Sequence, residues 1–117
     1  MKSILKKLLD AKIMGASKLK IQRLQQLLDN PTIEVIVEQY ADETFLKADG
    51  FDDAIIGVDE STMRLIYSVS KCIDILMIDM SEDDAMEYFN FNVSGSYVGD
   101  KTPIWCSDYF ELTFLKT

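Results

Sequence analysis

From Val69 to Asp79 the chain is apolar on nearly every side of a helix. Val69, Cys72, Ile73, Ile75, Leu76, Met77 and Ile78 leave no wide polar face. A surface helix keeps one face for water, so a helix of this kind has to be surrounded. The run is too short to cross a bilayer, which takes about 20 apolar residues. It is therefore expected to be the packed centre of a small domain that the other elements wrap. The chain has 117 residues. At that size roughly 60–70% of the unfolded surface can be buried, and no metal or disulfide staple is required.

The flanking patterns supply the wrapping elements. Ile33, Ile36, Val37, Tyr40 and Ala41 follow helical spacing after Asn30-Pro31, a cap followed by a residue favoured in the first turn. That helix is expected to end at Ala48-Asp49-Gly50. Ala54-Ile55-Ile56-Gly57-Val58 reads as a buried strand, Asp59-Glu60-Ser61-Thr62 as a turn, and Arg64-Leu65-Ile66-Tyr67 as the hairpin partner. Ser81 caps a further helix whose buried side is Ala85, Met86, Phe89 and Val93. Ile104-Trp105-Cys106 reads as a strand, and Phe110, Leu112 and Phe114 alternate with polar residues as in a half-buried strand. The expected class is α+β. A small antiparallel sheet of three to four strands is packed by two internal helices and preceded by a basic amphipathic helical segment.

Charge divides the chain at Asn30-Pro31. Residues 1–30 hold seven basic groups against two acids, a balance of +5, whereas the rest holds five against eighteen, a balance of −13. The expected organisation is a basic helical segment over residues 1–29 and an acidic domain over 30–117. In the segment, Ile4, Leu5, Leu8, Leu9 and Ile13, then Ile21, Leu24, Leu27 and Leu28, make apolar stripes. Lys6, Lys7, Lys12, Lys18, Lys20 and Arg23 are its candidate contact or docking face. The lysines interrupt the apolar residues, so the segment does not read as a signal peptide. Its stripes suit docking on the domain or a homodimer contact through residues 3–28. It has one Arg and no aromatic residue, which makes nucleic acid the weaker partner.

The chemistry-bearing residues exclude more than they suggest. There is no histidine, hence no side chain of the commonest general-base and metal-ligand type. No phosphate-binding glycine loop occurs. Cys72 and Cys106 have no ligand spacing and suit a reduced, cytoplasmic setting. Asn90-Phe91-Asn92-Val93-Ser94-Gly95 opens like a calcium loop, but its twelfth position is Lys101 where a bidentate acid is needed. No cofactor and no metal are expected. Met63, Met77, Met80, Met86 and Trp105 read as core. The carboxylates Asp52, Asp53, Asp59, Glu60, Glu82, Asp83, Asp84 and Glu87 remain. Read as chemistry they would make a small carboxylate-dependent enzyme, with Asp52 and Asp53 before a buried strand as its centre. Read as structure, Asp59-Glu60 serve a turn, and Glu82 to Asp84 face the positive end of a helix dipole. Read as recognition, the eight make an acidic partner-binding face.

Gly50-Phe51-Asp52-Asp53-Ala54-Ile55-Ile56-Gly57, Leu65 to Ile73, Met80 to Asn92 and Tyr97 to Ile104 together resemble a widespread group of small proteins encoded by phages and prophages. The likeness covers roughly residues 50–105 and leaves out the basic segment. It implies a phage source and expression in the cytoplasm of an infected bacterium. It carries no catalytic residue, because the group has no settled activity. Joined to the acid surplus, it leads to the expectation of a non-enzymatic interaction protein that binds and inhibits a host protein. A nucleic-acid-binding defence complex is the expected kind of target, blocked by an anti-CRISPR-like or other anti-defence mechanism. Carboxylates would there imitate a nucleic-acid backbone in a basic groove. The alternative is a nucleic-acid-binding accessory protein that uses the Lys-rich segment.

The apolar stripes generate one direct expectation. Light scattering should give a dimer mass for the full chain and a monomer mass for a chain beginning at Asn30. Equal monomer masses for both would remove the dimer contact.

Overall fold

The computed structural model describes Gly15, Lys18, Ile21, Gln22, Gln25 and residues 32–110. Most of the 1–29 segment, the Asn30-Pro31 boundary and the alternation through Leu112 and Phe114 lie outside the described residues. Lys18, Ile21, Gln22 and Gln25 are helical; Ile21 packs against the core, and the other three are exposed.

The order of elements is α1 (Thr32–Gln39), a 3-10 turn (Asp52–Ala54), β1 (Ile55–Asp59), β2 (Arg64–Ser68), α2 (Val69–Leu76), α3 (Glu82–Asn92) and β3 (Ile104–Cys106). The α+β class holds, with three described helices of this order and one three-stranded sheet. The sheet is mixed, not antiparallel as expected. Its order is β1-β2-β3; β1 pairs with β2 antiparallel, and β3 lies parallel to β2 through Ile66–Ile104, Tyr67–Trp105 and Ser68–Cys106. The reason is the connection. A hairpin joins β1 to β2, whereas α2 and α3 carry the chain back to the starting end of β2, which is what a parallel pair requires.

The apolar run does lie at the centre. Within α2, Cys72, Ile73, Ile75 and Leu76 are buried, and no residue of the helix is fully exposed. Burial pushes the Cys72 thiol up to about 12, so it stays protonated at neutral pH and is a core residue. α2 packs on β2, α3 and the 3-10 turn. Around it sit Ile36 of α1, Phe51, Ala54, Ile55, Leu65, Tyr67, and Ala85 and Phe89 of α3.

Two elements depart from expectation for local reasons. α1 ends at Gln39, well short of Gly50, and residues 43–48 run without regular structure. Tyr40 and Phe45 meet edge to face with ring centres 6.3 Å apart. On a continuing helix residues five apart point about 140° away from each other, so the pair could not form. Gly50, at φ 88°, turns the chain back towards the buried Phe51. In β1, Ile56 is exposed because the register slips between Ile55–Tyr67 and Gly57–Ile66. That bulge leaves Ile56 unpaired on an edge strand.

The start of α2 is held by an acid that sequence reading did not single out. Ser68 Oγ accepts from the Lys71 amide at 3.1 Å and donates to Asp108, whose other oxygen accepts the Ser70 amide at 2.8 Å. Burial alone would raise the Asp108 carboxyl, but the hydrogen bonds from Ser68 and Ser70 outweigh it and hold the group below the ordinary carboxylate range. A depressed folded pKa adds stability that is present above the unfolded value, about 3.9, and is lost as pH falls through the folded one. Asp108→Asn should therefore destabilise the protein measurably at neutral pH. In acid the gap should close, since the parent loses the same contribution there. Urea melts from about pH 7 down to pH 2 measure both; a gap constant with pH would contradict the assignment.

Candidate functional site

The eight acids singled out from the sequence sit on three elements. Asp52 and Asp53 form the 3-10 turn, near Glu34 of α1. Asp52 pairs with Lys47 at 3.0 Å. Burial first, then the neighbouring Asp52 and Glu34 charges, raise the Asp53 carboxyl. Neither residue lines any of the clefts described below. Asp59 closes the hairpin. Its carboxylate accepts the hydroxyls of Thr62 at 2.7 Å and Ser61 at 2.9 Å, and these bonds lower its pKa. The turn also places Met63 at a positive φ of 52°. The Tyr40 hydroxyl pKa is raised by burial and then by the neighbouring Glu60 carboxylate. Of these four acids, Asp52 and Asp59 make ion-pair and hydrogen-bond contacts within their own neighbourhoods.

The remaining four lie on α3. Glu82, Asp83 and Asp84 occupy its first turn, and Ser81 Oγ accepts the Asp84 amide at 3.2 Å. Glu82, Asp83, Asp84 and Glu87 are exposed and have no ion pair among the described residues. The spacing of Asp84, Glu87, Tyr88 and Phe91 is i, i+3, i+4, i+7, which is one helix face. Tyr88 is 45% exposed and Phe91 80%. Sequence reading took the opposite face of this helix as its signal and passed over the two aromatic rings. The stripe was visible in the same spacing rule.

Tyr88 and Asn92 wall two adjoining hollows. One is open and also lined by Met80, Asp84, Glu87 and Phe91. The other is a cleft of about 270 Å³ between α3 and the sheet, lined by Leu46, Phe51, Val93, Val98, Pro103 and Trp105 among others. Val98 is held at the rim by a compact turn. Its amide donates to Thr102 Oγ1 at 2.9 Å, the same hydroxyl donates to the Gly99 carbonyl at 2.6 Å, and Gly99 has φ 113°. Arg64 Nε donates to the Thr102 carbonyl, and Lys101 reaches the Thr62 and Met63 carbonyls, which ties this turn to the hairpin.

Trp105 forms the cleft floor. Its ring lies 5.0 Å from Tyr67 and meets Phe89 edge to face at 5.4 Å. Its Nε1–H is buried and has no acceptor among the described residues. Met77, Met80 and Met86 pack against the core, in keeping with their reading as filler. Asn90-Phe91-Asn92 is the last turn of α3, where the Asn90 and Asn92 carbonyls accept the Ser94 and Ser96 hydroxyls. Of the basic candidates, Lys18 is exposed. Lys6, Lys7, Lys12, Lys20 and Arg23 lie outside the described residues. No helix among the described residues is long and apolar enough to cross a membrane. No family model, curated protein or solved structure matches this chain.

The site joins a cleft lined by aromatic and aliphatic side chains to exposed carboxylates that have no ion pair among the described residues. Trp105 ties that surface to the core. Trp105→Ala should cost about 3 kcal/mol or more. Trp105→Phe should cost less than half as much, because it keeps the ring contacts and removes a buried donor whose lack of a partner costs about 1–3 kcal/mol. Urea melts followed by circular dichroism decide it; equal losses would mean that the indole N–H is satisfied.

Proposed function

We propose that this chain is a small, non-enzymatic interaction protein that binds a basic surface of a host protein and blocks it. The observation that carries the reading is the outward face of α3, where Asp84 and Glu87, without an ion pair among the described residues, lie beside the exposed Tyr88 and Phe91. Contiguous exposed apolar surface on a small soluble protein marks a contact site. Carboxylates beside it select a cationic partner and speed encounter. The phage-like segments supply the expected setting, the cytoplasm of an infected bacterium. A protein whose basic groove normally holds nucleic acid is the expected target, and the −13 balance beyond residue 30 favours it over an acidic one.

The test separates this face from net charge. Asp84→Lys/Glu87→Lys and Glu38→Lys/Asp42→Lys change the charge equally; the second pair is exposed and belongs to α1 and its following turn. Immobilised parent protein should capture a basic host protein at low salt, and duplex DNA should compete with it. The α3 variant should weaken capture at least ~10-fold, which is about 1.4 kcal/mol, while the control stays within about twofold. Equal losses in both variants would reduce the effect to net charge. Absence of any salt-sensitive partner would sink the reading.

A further inference from the structure

We propose that the Trp105 cleft is an anchor pocket for one aliphatic side chain of a basic peptide segment, whose flanking Lys or Arg lies against Asp84 and Glu87. This deepens the proposed function and rests on it: the partner presents a short segment with an apolar anchor and not only a field of positive charge.

The cleft measures about 270 Å³, at the lower end of ligand sites, which run from about 300 Å³ upwards, and it has room for a branched side chain. The walls set its polarity, since Phe51, Val98, Pro103 and Trp105 offer rings and branched carbons. Lys47 stands at the rim, but Asp52 engages its ammonium at 3.0 Å, so its charge is offset. Charge complementarity sets the flanks. Tyr88 and Asn92 belong both to the cleft and to the hollow that holds Asp84 and Glu87. A segment seated by its anchor therefore has its neighbouring residues beside two carboxylates that have no ion pair among the described residues. An aromatic or aliphatic anchor seated in a pocket and surrounded by a polar rim is a common design of a binding interface.

The chain has a single Trp, so Trp105 emission reports on this cleft directly. The probe is a short blocked peptide with a central Leu between Lys and Arg, free of Trp. Two comparators replace Leu by Ala, or the basic residues by Glu. The Leu-basic peptide should shift the emission saturably. The Ala and Glu versions should each bind at least ~10-fold more weakly. Val98→Asp, at a rim position 61% exposed, should erase the Leu-over-Ala preference while melting stays close to the parent. Asp84→Lys/Glu87→Lys should erase the preference for basic flanks, so either variant alone keeps the test decisive if the other fails to fold. Equal binding of the Ala peptide, equal binding of the Glu peptide, or no saturable shift would each overturn the proposal. So would an emission shift that follows the concentration of the chain itself with a dimer mass in light scattering, because the occupant would then be a second copy. If the peptides fail while the α3 variant still loses its captured host protein, the anchor pocket falls and the acidic interaction face stands.

Discussion

The Tyr67 hydroxyl accepts the Ala48 amide at 2.8 Å from inside the core, and much of the molecule takes its position from that ring. Tyr67 is on the central strand and has no exposed surface. Burial pushes its hydroxyl pKa up to about 12, so it remains a neutral phenol. An amide left unpaired in that environment would cost about 1–3 kcal/mol, which fixes where residues 43–51 return to the domain. The other side of the ring meets Trp105, and Trp105 meets Phe89. One side chain thus connects the return segment, β2, β3 and α3. The cleft is bounded by three of those pieces, so its shape follows from the core and not from its own lining.

The acid surplus divides by what each carboxylate touches. Asp59 and Asp108 accept hydroxyl and amide protons and close backbone that would otherwise lack partners. Asp52 holds Lys47, and Glu60 lies near the Tyr40 hydroxyl. The first-turn acids of α3 lie at the positive end of that helix, which favours them by a few tenths to about 1 kcal/mol each. Glu87 is beyond the reach of that effect, on the second turn beside Tyr88. Glu87 has no ion pair among the described residues and lies next to a half-exposed ring, so it contributes little to the fold.

What the sequence disclosed, and what it hid, follows from the range of the interactions involved. The all-round apolar run of α2, the Ser81 cap and the Ile55–Tyr67 hairpin rest on spacings of a few residues, and each was legible. The end of α1 was misread because it falls before the Gly50 turn signal, where the Tyr40–Phe45 ring contact, absent from any local spacing rule, folds the chain away from the helix axis. The parallel pairing of β3 was missed because period-two spacing marks a strand without giving its direction. Asp108 looked unremarkable since its partners, Ser68 and Ser70, are distant in sequence. In the candidate site, the α3 acids were legible as a local cluster of charge, of which capping and the helix dipole explain only Glu82 to Asp84. Tyr88 and Phe91 were overlooked because only their exposure separates them from core aromatics. The cleft itself was out of reach, for it joins residues from Leu46 to Trp105 through tertiary packing.

The parallel pairing of β2 with β3 also bears on the order in which the molecule assembles. The β1–β2 hairpin and the start of α2 are made of near neighbours and close with little loop entropy. Strand β3 has to wait, since its partners on β2 are reached only after α2 and α3 have condensed. Pairings of long sequence separation form slowly. Trp105 therefore reaches Tyr67 late, and the cleft between α3 and the sheet takes its shape only then. A chain interrupted before residue 104 would hold most of the core yet lack the side chain that closes this cleft, so the cleft is a late feature of folding.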